Sequence, residues 1–163
     1  MRKALLALKY ENTPQLAGPL GARLATLVEG LQWEADFLVP VPLHPARERE
    51  RGYNQTQLIG QSLAQKIAVP LADDALYRTS NTRAQVGLTR QQRKDNVSKA
   101  FVARTDRVQG RDLLLVDDVY TTGATLGECA LVLAEAGARS VFGLTLTQAV
   151  SPADHGGGTT EWM

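Results

Sequence analysis

An α/β fold with a central, mostly parallel sheet and flanking helices is predicted for this 163-residue chain by three observations. The run Leu113, Leu114, Leu115, Val116 is apolar without alternation, the pattern of a strand covered on both faces. A helical stripe of Leu126, Cys129, Leu133 and Ala136 follows, Gly137 ends it, and residues 140–146 form another buried run, so strand, helix and strand succeed one another. Between them, at the carboxyl end of the first strand, stand Asp117 and Asp118 and a stretch of small residues, which is where such sheets place ligands.

The length suits one domain with a sizeable core, expected over residues 1–150. Residues 151–163, with three successive glycines and few apolar groups, are expected to be a disordered tail. The formal charge of +1 argues neither for nor against a polyanionic partner. Its distribution says more. Arg78, Arg83, Arg90, Arg93 and Lys94 form a basic segment without an acid, while residues 113–137 carry Asp117, Asp118, Glu128 and Glu135 without a base. The two could meet across one anionic, metal-bound ligand. A single cysteine, Cys129, excludes an intrachain disulfide and a cysteine-based zinc site, and its helical position predicts a small buried hydrophobe. No apolar run reaches the length of a membrane span or a signal-peptide core, so a cytoplasmic location is expected.

In chain order, residues 2–10 read as a short helix, and Thr13 before Pro14 reads as the N-cap of a second helix running to Glu29. This helical prefix of residues 1–30 is expected to pack on the domain as a structural element. Residues 37–42 read as a strand terminated by Pro40 and Pro42. Residues 43–55 then connect it to a helix whose face is marked by Leu58, Ile59, Leu63 and Ile67. Within that connection Arg47, Arg49 and Arg51 admit two readings. One is a solvated loop neutralised by Glu48 and Glu50; the other is anion binding by Arg47 or Arg51, with Gly52 allowing close backbone approach. A strand over 75–79 leads into a polar segment that admits two readings: a solvated surface connection, the usual outcome for a charge run, or, over residues 80–92, a flap closing on substrate. Thr89 and Gln92 pattern as a capping box opening a short helix, residues 100–103 return as a strand, and residues 109–112 turn.

The chemistry concentrates in residues 117–125. Thr121, Thr122, Gly123, Ala124 and Thr125 are all small, Gly123 can take positive φ, and three hydroxyls stand beside the N–H groups of a starting helix, a suitable cradle for a phosphate monoester. Asp117 and Asp118 repel a phosphate but can accept hydrogen bonds from sugar hydroxyls or hold hydrated Mg²⁺ through water. A diol beside a phosphate is a ribose 5-phosphate. Adjacent acids after a strand, or a Thr-Thr-Gly turn, are each unremarkable alone. In this order and spacing they resemble the 5-phosphoribosyl-1-pyrophosphate (PRPP) signature of type I phosphoribosyltransferases.

More of the chain resembles the ComF/GntX-type family, named after competence protein F. The resemblance rests on Val39-Pro40-Val41-Pro42-Leu43, on Arg51-Gly52-Tyr53-Asn54-Gln55, on Arg83, Gln85, Leu88, Arg93 and Asn96, on Ala100-Phe101 and on the signature itself. Many members resembling this family carry a four-cysteine zinc module before the helical hairpin; nothing of the kind is found here. The resemblance implies a Rossmann-like, type I phosphoribosyltransferase-like fold and a PRPP site. Asp117 and Asp118 would serve the ribose hydroxyls and the Mg²⁺ shell, residues 121–125 the 5-phosphate, and the loop with Arg47, Arg51 and Gly52 the pyrophosphate. Mg²⁺ and arginines, Arg83 among them, would stabilise the departing charge.

Two functions of different class follow. One is a phosphoribosyltransferase displacing pyrophosphate from ribose C1, with PRPP as co-substrate. The other is a competence-type protein of DNA uptake or processing, binding single-stranded DNA weakly or a protein partner. The basic segment 78–94 could face phosphates of either ligand, and it holds no aromatic residue on which a base could stack.

Overall fold

The structure, a computed structural model, describes residues 1–31, 33–79 and 100–148. The candidate flap, the capping-box helix at Thr89, Arg83 and the tail all lie outside the described residues.

The apolar run at 113–116 lies in the middle strand of a three-stranded parallel sheet of order β1-β4-β5, where β1 is Phe37–Pro40, β4 is Asp112–Tyr120 and β5 is Ser140–Gln148. In this register Leu115 lies between Val39 and Gly143, and Val116 between Pro40 and Leu144. Successive strand residues face opposite sides. Leu114 and Val116 accordingly join one core with α1 (Arg2–Tyr10), α2 (Ala17–Glu29) and α4 (Gln55–Ile67). Leu113 and Leu115 join the other, with the antiparallel pair β2 (Leu76–Arg78) and β3 (Phe101–Ala103) and with α6 (Ala124–Glu135). Being buried on both sides is what removes polar residues from 113–116. Cys129 is fully buried in the second core, as expected, and burial pushes its thiol well above the usual range.

Several local expectations are corrected. β4 does not end at Val116: its ladder with β5 continues to Tyr120 opposite Gln148, while β1 stops at Pro40, so both acids lie within the strand where it has outrun one neighbour. The connection at 43–52 is not a loop but contains helix α3 (Pro45–Arg51). His44 caps it, its Nδ1 accepting from the Ala46 N–H at 3.1 Å, with Pro45 at the first helical position. Gly52 closes it at φ +84°, a conformation that strains any side chain, and its N–H bonds to the Glu48 carbonyl at 2.7 Å. Thr13 does not cap the second helix. Pro14–Leu16 forms a 3₁₀ turn instead, and Thr13 Oγ1 is buried without a partner among the described residues. A short helix α5 (Thr105–Val108), absent from the sequence reading, seats fully buried Val108 in the second core before Gly110 turns the chain into β4.

Candidate ligand site

The two acids at 117–118 are neighbours in sequence but not in environment. Strand alternation sends Asp118 to the side of Leu114 and Val116, toward α1 and α4, and Asp117 to the side of Leu113 and Leu115. Asp118 is 5% exposed. Its Oδ2 accepts from Gln55 Nε2 at 2.7 Å and pairs with Lys9 Nζ at 2.7 Å. A buried carboxylate needs such partners, since a charge taken from water without compensation is costly. Asp117 has fewer: one oxygen accepts the Asp118 N–H at 2.8 Å. Burial, and then the charge of Asp118, push its carboxyl up to about 6.

The segment Arg51-Gly52-Tyr53-Asn54-Gln55 explains itself residue by residue. Arg51 ends α3 and donates to Gln55 Oε1; Gly52 reverses the chain; Tyr53 OH donates to the Leu8 carbonyl at 2.5 Å. Asn54 caps α4 by accepting from the Thr56 N–H at 3.0 Å and also donates to the Val41 carbonyl at 3.2 Å. Gln55 carries the connection on to Asp118. A polar chain Arg51–Gln55–Asp118–Lys9 therefore joins α3, α4, β4 and α1.

The hydroxyl-rich turn follows β4 directly. Gly123 has φ +75°, which strains any side chain, and a Cβ there would meet the Tyr120 hydroxyl at 2.6 Å, so the exposed Tyr120 ring would have to swing aside as well. Thr122 Oγ1 accepts from the Ala124 N–H at 3.4 Å, and Thr121, Thr122, Ala124 and Thr125 are exposed around the start of α6. The turn and α3 leave the same carboxyl end of adjacent strands β4 and β1.

Beside α3 opens a cavity of about 710 Å³, lined by Arg47, Arg49, Glu50, Arg51 and Gly52 and, from α1 and the turn after it, by Lys9, Tyr10 and Asn12, so that four cations face it with one acid. Arg47, Arg51 and Gly52 are thus brought together as the anion-binding reading requires, while Arg83 falls outside the described residues. Sequence reasoning missed Lys9 and treated its helix as a structural prefix. The signal was present: Lys9 is one helical turn from buried Leu5 and so on the inward side of α1.

Among the described residues no group of three or more acidic, histidine or cysteine side chains could hold a metal by itself. Magnesium commonly uses one or two carboxylates together with substrate phosphates. The residues fit that mode only: Asp118 Oδ2 is already doubly engaged, which leaves Asp117 as the better-placed group for a magnesium ion arriving with a phosphorylated ligand.

The fold recurs in solved structures. Glutamine PRPP amidotransferase from Bacillus subtilis superposes with a TM-score of 0.59 at 18% identity, covering 80% of this chain and 26% of that one. Adenine phosphoribosyltransferase from Thermoanaerobacter pseudethanolicus gives 0.52 at 17% identity, covering 82% and 68%. The protein has the type I phosphoribosyltransferase fold. No family model matches the chain. Curated relatives are the DNA utilization protein YhgH of Escherichia coli, 36% identical over 82% of this chain and 61% of its own length, and competence protein F of Haemophilus influenzae, 35% identical over 65% and 47%. The chain belongs to the competence protein F family, and it spans about half to three fifths of these relatives' lengths.

Proposed function

We propose that this chain binds PRPP at the carboxyl end of β4 and acts as a phosphoribosyltransferase. The observation that carries the reading is the convergence of three ligand chemistries at one end of the sheet: the acids at 117–118, the hydroxyl turn at 121–125 and the arginine-lined cavity beside α3. Asp117 accepts hydrogen bonds from the ribose hydroxyls, and Asp118, whose Oδ2 is held by Gln55 and Lys9, joins it through its remaining oxygen. The turn at the start of α6 takes the 5-phosphate on its hydroxyls and N–H groups. Arg47 and Arg51 receive the pyrophosphate, whose charge grows as the C1–O bond breaks with its electron pair going to the leaving group and the acceptor's lone pair forms the new bond to C1. Magnesium, when bound with the ligand, would neutralise part of that charge. Calorimetry with PRPP and Mg²⁺, followed by a pyrophosphate-release screen over acceptors, tests both halves. No heat at millimolar PRPP would remove the reading.

A second reading is favoured by the names of the relatives, a competence protein and a DNA utilization protein. In it, the basic residues bind DNA phosphates and the PRPP site serves regulation or a partner. Affinity for single-stranded DNA would then fall steeply with salt, each lost charge flattening the slope by a little under one unit. Tight DNA binding indifferent to PRPP would make this the primary function.

A further inference from the structure

The N-terminal helix is built into the site, and its placement has a specific cause. Leu5 and Leu8 of α1 are buried in the core shared with α2 and α4. The carbonyl of Leu8 is held by Tyr53 OH at 2.5 Å, which pins the carboxyl end of α1 to the junction between α3 and α4. Lys9, the next residue, is thereby fixed with its ammonium against Asp118 and its side chain only 18% exposed, while it also lines the arginine cavity. Arg51 lies over the Tyr10 ring at 5.7 Å, a second tie between α1 and α3. A lysine used only to neutralise Asp118 has no need to border a cavity whose other cations are Arg47, Arg49 and Arg51. An ammonium has three donors and one is directed to the carboxylate, so others are available to a phosphate oxygen.

We propose that Lys9 is a ligand-binding residue, bridging Asp118 and the diphosphate group of a ligand seated in the arginine-lined cavity. This rests on the PRPP reading and deepens it, because it makes the helical prefix the part of the site that distinguishes a C1 diphosphate from a plain ribose 5-phosphate. The diphosphate meets Lys9 together with Arg47 and Arg51, whereas the 5-phosphate lies at the start of α6 and does not depend on α1.

Calorimetry with PRPP, inorganic pyrophosphate and ribose 5-phosphate on the wild type, Lys9→Met and Lys9→Arg tests it. Methionine keeps most of the aliphatic stem and removes the charge. Lys9→Met is expected to weaken PRPP and pyrophosphate by ten-fold or more and ribose 5-phosphate by less than three-fold, with Lys9→Arg recovering most of the loss. Because Lys9→Met leaves the buried Asp118 carboxylate uncompensated, Lys9→Met/Asp118→Asn serves as the second variant. It removes both charges, and its pyrophosphate affinity is expected to remain low. Recovery of pyrophosphate affinity in the double variant would show that Lys9 only neutralises Asp118 and would overturn the proposal, as would equal losses for all three ligands or none. A wild type that binds none of the three would instead overturn the PRPP reading, and the proposal with it.

Discussion

Gln55 Nε2 donates to Asp118 Oδ2 at 2.7 Å, joining the first residue of α4 to the strand that carries the acids. Gln55 is 6% exposed, and its other amide atom accepts from Arg51, so a single side chain passes the position of the arginine helix to the acid. A glutamine suits this place because its amide donates at one end and accepts at the other. Gln55→Leu keeps an apolar body but leaves Asp118 with Lys9 alone. The expected loss is about 1.5 to 3 kcal/mol of stability, the usual range for a hydrogen bond to a charged group. Urea unfolding reads it, and an unchanged midpoint would mean that the bond contributes nothing.

Asp117 gives a pH signature. Its folded carboxyl titrates near 6, above the value of 3.8 for the free side chain, so between these the folded state holds more protons than the unfolded one. Stability attributable to this group is therefore highest below about pH 4, falls as pH rises toward about 6, and stays reduced above that. Asp117→Asn should flatten this slope and stabilise the protein at pH 7.5 by about 1 to 2 kcal/mol, discounted for partial exposure, while weakening PRPP. Thermal melts from pH 3.5 to 8 decide it; a variant less stable than wild type at pH 7.5 contradicts the burial argument.

Thr122→Val separates binding from folding. The side chain is exposed and its one internal hydrogen bond is long, at 3.4 Å, so unfolding should change by less than about 0.5 kcal/mol. Loss of a donor to the phosphate should cost on the order of 1 to 3 kcal/mol of affinity for ribose 5-phosphate. Equal affinity in variant and wild type would move the phosphate elsewhere.

Gly123→Ala should behave oppositely. Positive φ and the 2.6 Å approach to the Tyr120 hydroxyl both oppose a Cβ. A loss on the order of 1 to 3 kcal/mol is expected, and combining it with Tyr120→Ser should return part of that by removing the steric component while the φ strain remains. Full recovery in the double variant would show that φ costs nothing here.

The sequence by itself determined the elements whose signals are local. Residues 113–116 read as a doubly covered strand because both faces of β4 are buried, the stripe on α6 was visible at helical spacing, and the turn at 121–125 showed in its small residues. Class and family followed from motifs in which some residues have a local task, as Gly52 closing α3 and Asn54 capping α4 do, while Tyr53 and Gln55 of the same motif reach Leu8 and Asp118. Tertiary structure alone decided how far β4 extends, since that depends on a ladder with β5, and that 76–78 and 101–103 pair with each other rather than with the central sheet. It also decided that adjacent acids serve opposite faces and that Lys9 reaches Asp118 from the far end of the chain. Such contacts are made when α1 packs its leucines against α2 and α4: the spacing of Leu5 and Lys9 puts the lysine on the inward side of α1, and the shape of the assembled core decides what it meets there.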